Sequence, residues 1–179
     1  NAKLTKNLDS PLTAEGRHQV LQAAQFLKAH HFDDTWVGRT SPYLRCLQTA
    51  EIIQGETGIG FSVDVNPREI MTCYDSCLVR SWQEEFPGFD FSGYTGCEFR
   101  RESDAEFGVR LAEYREFLRG FPKVLVVSHG TPVTSLVNMI AGRYAGPSLT
   151  DYVKNASLSY LVGDEIRWCD KVTYLTGDL

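Results

Sequence analysis

The sequence has no excess of positive charge: 18 Lys and Arg stand against 23 Asp and Glu, a formal net charge of −5. That balance argues against a nucleic-acid or anionic-membrane partner, although a local basic pocket for a small anion is compatible with it. No apolar run approaches the length of a membrane span, and there is no internal repeat or low-complexity tract. The four histidines, His18, His30, His31 and His129, are too few for a histidine-rich metal site. Cys73 and Cys77 have no second pair at zinc spacing, so they read as thiols. Five cysteines, an odd number, suit a reducing compartment and point to a cytoplasmic protein. Also missing are a G-x-S-x-G elbow, a G-x-x-x-x-G-K-[ST] loop, a G-x-G-x-x-G turn and an H-E-x-x-H helix. The chemistries that depend on those motifs are set aside with them.

What is present is enough apolar sequence for a real core. Over 179 residues, 42% are hydrophobic and 23% charged, which fits one domain spanning 1–179. TAEGRHQVLQAAQFLKAH, 13–30, puts Val20, Leu21, Ala23, Ala24 and Leu27 on one helical stripe behind the N-cap Thr13. A short strand near 35–39 leads to a second helix, with Pro42 in its first turn and Gly58 past its end. FSVDV, 61–65, alternates as a strand does. Ser103 and Glu106 form a capping box for a helix reaching about Arg119. KVLVV is a buried parallel strand, 131–141 is helical, and the tail supplies strands at SLSYLV, EIRW and KVTYL. Between these elements, 66–102 carries Gly, Pro, aromatics and cysteines without a sustained period. We expect it to be an irregular lid or substrate lobe over the sheet, because Trp82, Phe86, Phe89 and Phe91 need burial. The alternation predicts an α/β fold: three layers, a mostly parallel sheet with helices on both faces, and the lobe over its carboxyl edge.

Ligands gather at the carboxyl ends of such strands. One strand runs into Ser128-His129-Gly130-Thr131 and straight into a helix N-terminus, which offers unpaired N–H groups and a positive dipole end to an anion. An imidazole there can serve as nucleophile, proton carrier or cationic clamp, or simply be satisfied by local hydrogen bonds. Arg45, one turn into the helix after the other strand end, can fork onto a carboxylate or phosphate, or lie on an exposed face. Glu69 in NPREI, beside an apolar lobe, can keep a raised pKa and act as an acid, or be a surface carboxylate. Arg80, Arg100 and Arg101 in the lobe can select an anionic substrate or be solvated.

Five segments, in order, resemble the histidine phosphatase superfamily, the phosphoglycerate-mutase-like fold. LDSPLTAEGRHQV resembles its D-x-P-L-T-x-x-G-x-x-Q segment, TSPYLRCLQTAEII its S-x-x-x-R-x-x-Q-T-A element and NPREI its L-x-E element. VVSHGTPVTSLV resembles the second-histidine motif, and NASLSYL the Asn-containing strand after it. The resemblance implies that Arg45 binds the phosphoryl group, Glu69 protonates the leaving oxygen and His129 is the second catalytic histidine. It further implies help from the Gly130 and Thr131 N–H groups, a phosphate-binding hydroxyl at Thr5 and an asparagine contact at Asn1.

The family's nucleophile lies in an Arg-His-Gly motif at the end of its first strand, and no such motif occurs in this sequence. The alternation likewise opens on a helix. The expectation is that a strand with its histidine turn, roughly 10–20 residues, precedes Asn1. The implied activity is phosphomonoester hydrolysis through a phosphohistidine, on a small phosphorylated substrate, with no metal and no cofactor. The alternatives are a phosphoglycerate-type phosphomutase, which the compact length disfavours, and an inactive phosphate-binding or scaffold member of the fold. IMTCYDSC lacks the Gly-x-x-Glu-Gly pattern common after the family's acid, and SWQEEFPGFDFS instead suggests a distinct substrate lobe. Oligomeric state has no sequence signature here.

Overall fold

A computed structural model describes residues 9–71, 76–144, 146 and 153–171. Along the chain come α1 (Ala14–Ala29), β1 (Val37–Thr40), α2 (Leu44–Thr57), β2 (Gly60–Val63), β3 (Ser76–Arg80) and β4 (Gly96–Arg100). They are followed by α3 (Asp104–Leu118), β5 (Val124–Val127), α4 (Gly130–Ile140), β6 (Leu158–Val162) and β7 (Glu165–Lys171). Local chemistry sets most of these boundaries. Thr13 accepts the Gly16 N–H at the start of α1, and Ser103 and Glu106 close the expected capping box on α3. Gly58 ends α2 at φ 80°, a left-handed conformation that costs glycine no Cβ clash. Pro42 lies two residues before the start of that helix instead of in its first turn. The N-cap is Tyr43, in extended backbone and without a cap from its own side chain, and Asp9 Oδ1 fills the role by accepting the Leu44 N–H at 2.5 Å.

β2, β1 and β5 form a parallel sheet in that order, with Thr40 opposite both Val63 and Val127. Its strands therefore end on one edge, and the residues that follow them meet there. Alternation divides the sheet's faces. Thr40, Phe61 and Val63 are buried, and Phe61 and Val63 join Val20, Ala24 and Leu27 of α1 and Leu47, Ala50 and Ile53 of α2 in the main core. Arg39 points the other way, its guanidinium 5.2 Å and 5.0 Å from the ring centroids of Phe117 and Phe121 at the end of α3. Behind that face, Phe107 and Leu111 of α3 pack with Leu136 and Met139 of α4. Helices thus cover both faces, as the alternation predicts.

At Gly38 the sheet admits no side chain. A Cβ there falls 2.5 Å from Phe61 Cδ1 and 2.8 Å from the Gly60 carbonyl oxygen, and the backbone oxygen cannot rotate away. Gly38→Ala is expected to lower stability by about 1–3 kcal/mol, as overpacking of a core does. A urea midpoint equal to that of the parent would show that β1 and β2 separate freely.

The lobe holds more order than its sequence suggests. β3 and β4 pair antiparallel, Val79 opposite Cys97, with Val79 and Phe99 buried while Leu78 is 74% exposed. The pairing joins segments separated by 81–95, so local period alone does not reveal it. Phe86, Phe89 and Phe91 are buried as expected. In the tail, β6 and β7 form a separate antiparallel hairpin whose turn residue Asp164 is bound by Arg115 and Arg119 of α3. β7 runs to Lys171, and the rest of the expected KVTYL strand lies outside the described residues. Leu158 of β6 rests on Ala23 and Phe26 of α1. Among the described residues β6 does not pair with β5, and none of the helices is long and apolar enough to cross a membrane.

Candidate active site

The carboxyl edge brings together the three residues singled out from sequence. Arg45, Glu69 and His129 line one cavity of about 930 Å³, together with Gly130 and Thr131. Its volume is in the range of small-molecule sites. The cavity extends from this edge between α1 and β6, past Val20, Ala23, Val127 and Leu158. Thr5 and Asn1 lie outside the described residues.

His129 is the N-cap of α4, in extended backbone, and its side chain makes no capping hydrogen bond. The ring is free to face the neighbouring strand end, and it is buried at 7% exposure. Nε2 is 2.8 Å from Ser41 Oγ, and Nδ1 is 2.9 Å from Arg45 Nη2. The Tyr43 ring meets it edge-on at 5.1 Å, and the Arg45 guanidinium lies over that same Tyr43 ring. Burial holds the imidazole well below its ordinary pKa, and the charges of Arg45 and Arg110 push the same way. The shift favours the neutral form of the ring.

Glu69 is shifted in the opposite sense. Burial raises its carboxyl above the ordinary carboxylate range, against the Ile70 N–H at 3.0 Å, the hydroxyl and N–H of Thr131, and the Arg45 charge. A carboxyl that retains its proton nearer neutrality is suited to deliver it to a leaving oxygen. Thr131, expected to address phosphate, meets Glu69 through both its hydroxyl and its backbone.

Three supporting elements were not apparent as such in the sequence. Ser41 and Cys46 both touch His129, the Cys46 Sγ lying 3.5 Å from Nε2, although each sits 83 or more positions away in sequence. The in-register ends of β1 and β5 cause this. Asp9 joins the first turn of α2 to the lobe: Oδ1 takes the Leu44 N–H and Oδ2 takes the Trp82 indole N–H at 3.0 Å. Glu102, 8% exposed, is gripped by Arg110 at 3.1 and 2.5 Å and by Arg68 at 3.4 Å. Arg110 also donates to the carbonyls of Asn66 and Arg68, which brackets the loop that carries Glu69. Of the lobe arginines, Arg80 is paired with Glu85 at 2.7 Å and stacked on Trp82, while Arg100 and Arg101 are exposed. Among the described residues no group of three or more His, Cys, Asp and Glu could hold a metal ion.

A parallel α/β sheet with an arginine, a raised carboxyl and a buried histidine around a helix N-terminus defines a phosphoryl-handling class of domain. The chain belongs to the histidine phosphatase superfamily (branch 1), whose family profile matches residues 1–172. It is 31% identical over 172 residues to the probable phosphoglycerate mutase GpmB of Salmonella paratyphi C, covering 89% of this chain and 77% of that protein. In fold it is similar to the alpha-ribazole phosphatase of Shigella flexneri, with a TM-score of 0.63 at 16% identity over 92% of this chain and 87% of the other. It is also similar to the mycobacterial glucosyl-3-phosphoglycerate phosphatase in complex with inorganic phosphate. There the TM-score is 0.59 at 22% identity, covering 91% and 86% of the two chains.

Proposed function

We propose that the protein hydrolyses phosphomonoesters through a phosphohistidine intermediate. The observation that carries this reading is the convergence of Arg45, Glu69 and His129 on one cavity at the N-terminus of α4. Arg45 and His129 hold the equatorial oxygens of the phosphoryl group and offset their growing charge. Glu69 gives its proton to the leaving alcohol and then takes one from the water that attacks phosphorus. The reading needs a second histidine as the attacking imidazole, the role that the family resemblance gives to an Arg-His-Gly motif.

The test uses the full-length protein on a panel of small phosphomonoesters. Inorganic phosphate is expected to be released without an acceptor, and an acid quench should trap no stable phosphoenzyme while an alkaline quench does, as phosphohistidine requires. Absence of both phosphate release and phosphoenzyme would make the domain a phosphate-binding or scaffold member. The likeness to the Salmonella protein favours a second reading, a phosphomutase. It predicts a persistent phosphoenzyme that gives its group to a second substrate with little free phosphate.

A further inference from the structure

His129 is held at both ring nitrogens, and its two partners are not equivalent. A guanidinium carries only donors, so Arg45 Nη2, at 2.9 Å, makes Nδ1 an acceptor. The proton of the neutral ring therefore sits on Nε2 and points at Ser41 Oγ, 2.8 Å away. Ser41 is fully buried, so bulk water does not replace it as an acceptor. The donors run from the guanidinium through the ring to the Ser41 hydroxyl, and the Cys46 thiol beside the ring donates to the Ser128 carbonyl at 3.5 Å.

An anion entering the seat meets a conflict at one end of this chain. Arg45 presents N–H groups to it, whereas the unprotonated Nδ1 presents a lone pair. We propose that capture of a phosphoryl-like dianion here takes up one proton on His129 Nδ1, and that Ser41 is the positioning residue that holds Nε2–H so that the new proton goes to Nδ1. This rests on the reading of the cavity as a phosphoryl seat. The proton comes from solvent. The Arg45 N–H···Nδ1 hydrogen bond breaks, an N–H bond forms at Nδ1, and both imidazolium protons then have acceptors: the anion at Nδ1 and Ser41 at Nε2.

The groups that face the ring agree with this direction. After burial, Arg45 on α2 and Arg110 on α3 favour its neutral form, and a dianion offsets both charges. Burial pushes the Cys46 thiol up to about 12 and the Tyr43 hydroxyl higher still, so neither exchanges a proton near neutrality. Lys154, ahead of β6, lines the same cavity and adds positive charge. Glu69 and the attacking histidine of the proposed mechanism also accept protons: a glutamine variant removes the first, and Ser41→Ala, which leaves the second in place, separates it from His129.

Sulfate is a suitable probe, since it stays a dianion across the neutral range. Calorimetric titration in buffers of different ionisation enthalpy is expected to show about one proton taken up per sulfate, with affinity falling roughly tenfold per pH unit above neutrality. Glu69→Gln should keep that uptake. Ser41→Ala should lose most of it and bind sulfate roughly tenfold more weakly near pH 6, as removal of a buried charge-assisted acceptor predicts. Ser41→Thr, which retains the hydroxyl, should recover both. Sulfate bound with no proton uptake overturns the inference, as does uptake unchanged in Ser41→Ala. Sulfate that fails to bind at all overturns the phosphoryl seat itself. If Ser41→Ala does not fold, the proton count and pH slope of the parent protein decide the question alone.

Discussion

Arg45→Ala is expected to slow phosphomonoester turnover by the full-length enzyme about 10³-fold or more, the scale on which arginines that stabilise transferring phosphoryl groups act. The loss should appear in both kcat and kcat/KM, because the guanidinium meets charge that grows toward the transition state. Arg45→Lys keeps the charge but not the planar fork, and should recover only part of the rate. A second readout separates this role from a structural one. Arg45 follows burial as a cause of the depressed His129 pKa, so its removal lets that pKa rise toward the ordinary value. The sign follows from proton linkage. An imidazole depressed in the fold binds its proton more readily when unfolded, so stability falls as pH drops from about 6.5 toward the folded-state pKa. In Arg45→Ala that acid-side loss should shrink, and thermal melts across pH 5–7 would record it. Near-parental turnover together with an unaltered acid limb would remove Arg45 from the site.

Glu102→Ala is expected to cost about 3–5 kcal/mol of stability, the range for breaking a buried ion pair from one side. Both partners of the carboxylate are largely buried, Arg110 at 10% and Arg68 at 16% side-chain exposure, and neither reaches bulk water easily once the carboxylate is gone. The two guanidiniums also act on each other: after burial, the neighbouring Arg110 is the next cause lowering the pKa of Arg68. Removing the carboxylate that both of them bind leaves two like charges facing each other. The effect should not stay confined to stability. Arg110 holds the carbonyls of Asn66 and Arg68, so the loop presenting Glu69 loses its bracket when Arg110 is released. Slower turnover is expected even at temperatures where the variant remains folded. Chemical denaturation of the purified variant provides the measurement, and a loss under about 1 kcal/mol would show that water screens the cluster as it does surface pairs.

Much of the fold is written in local chemistry. Thr13, Gly58 and the Ser103–Glu106 pair mark helix ends by rules that need no tertiary knowledge, and the helices begin and end beside them. The apolar run at 124–127 announces a parallel strand in the same way, although of its four residues only Val127 is buried and the rest are half-buried. Arg45, Glu69 and His129 could be singled out because each follows a strand end, and parallel pairing carries strand ends to one edge. Ser41 was not visible as a partner of His129, since nothing near it in sequence distinguishes it from any serine before a proline. Its role depends on the register that sets Thr40 opposite Val127. Glu102 reads as one acid in a basic stretch, Arg100-Arg101-Glu102, until the fold buries it and leaves its two neighbours outside. The β3–β4 pair is hidden for the same reason: its partners are joined by a long connection full of glycine and aromatic residues.

The carboxylate of Asp9 has a consequence for how the lobe can change. One oxygen fixes the backbone of α2 a single residue before Arg45, and the other holds the indole of Trp82. The lobe and α2 thus share one acceptor. A lobe exchanged for another that lacks an indole or comparable donor at this point loses the hydrogen bond that ties it to the start of α2. Grafting a new substrate lobe onto this scaffold is therefore not a modular operation. Variation in the lobe is constrained at Trp82 by the carboxylate it shares with α2, and is freer on the outer side of the hairpin, where Leu78 faces solvent.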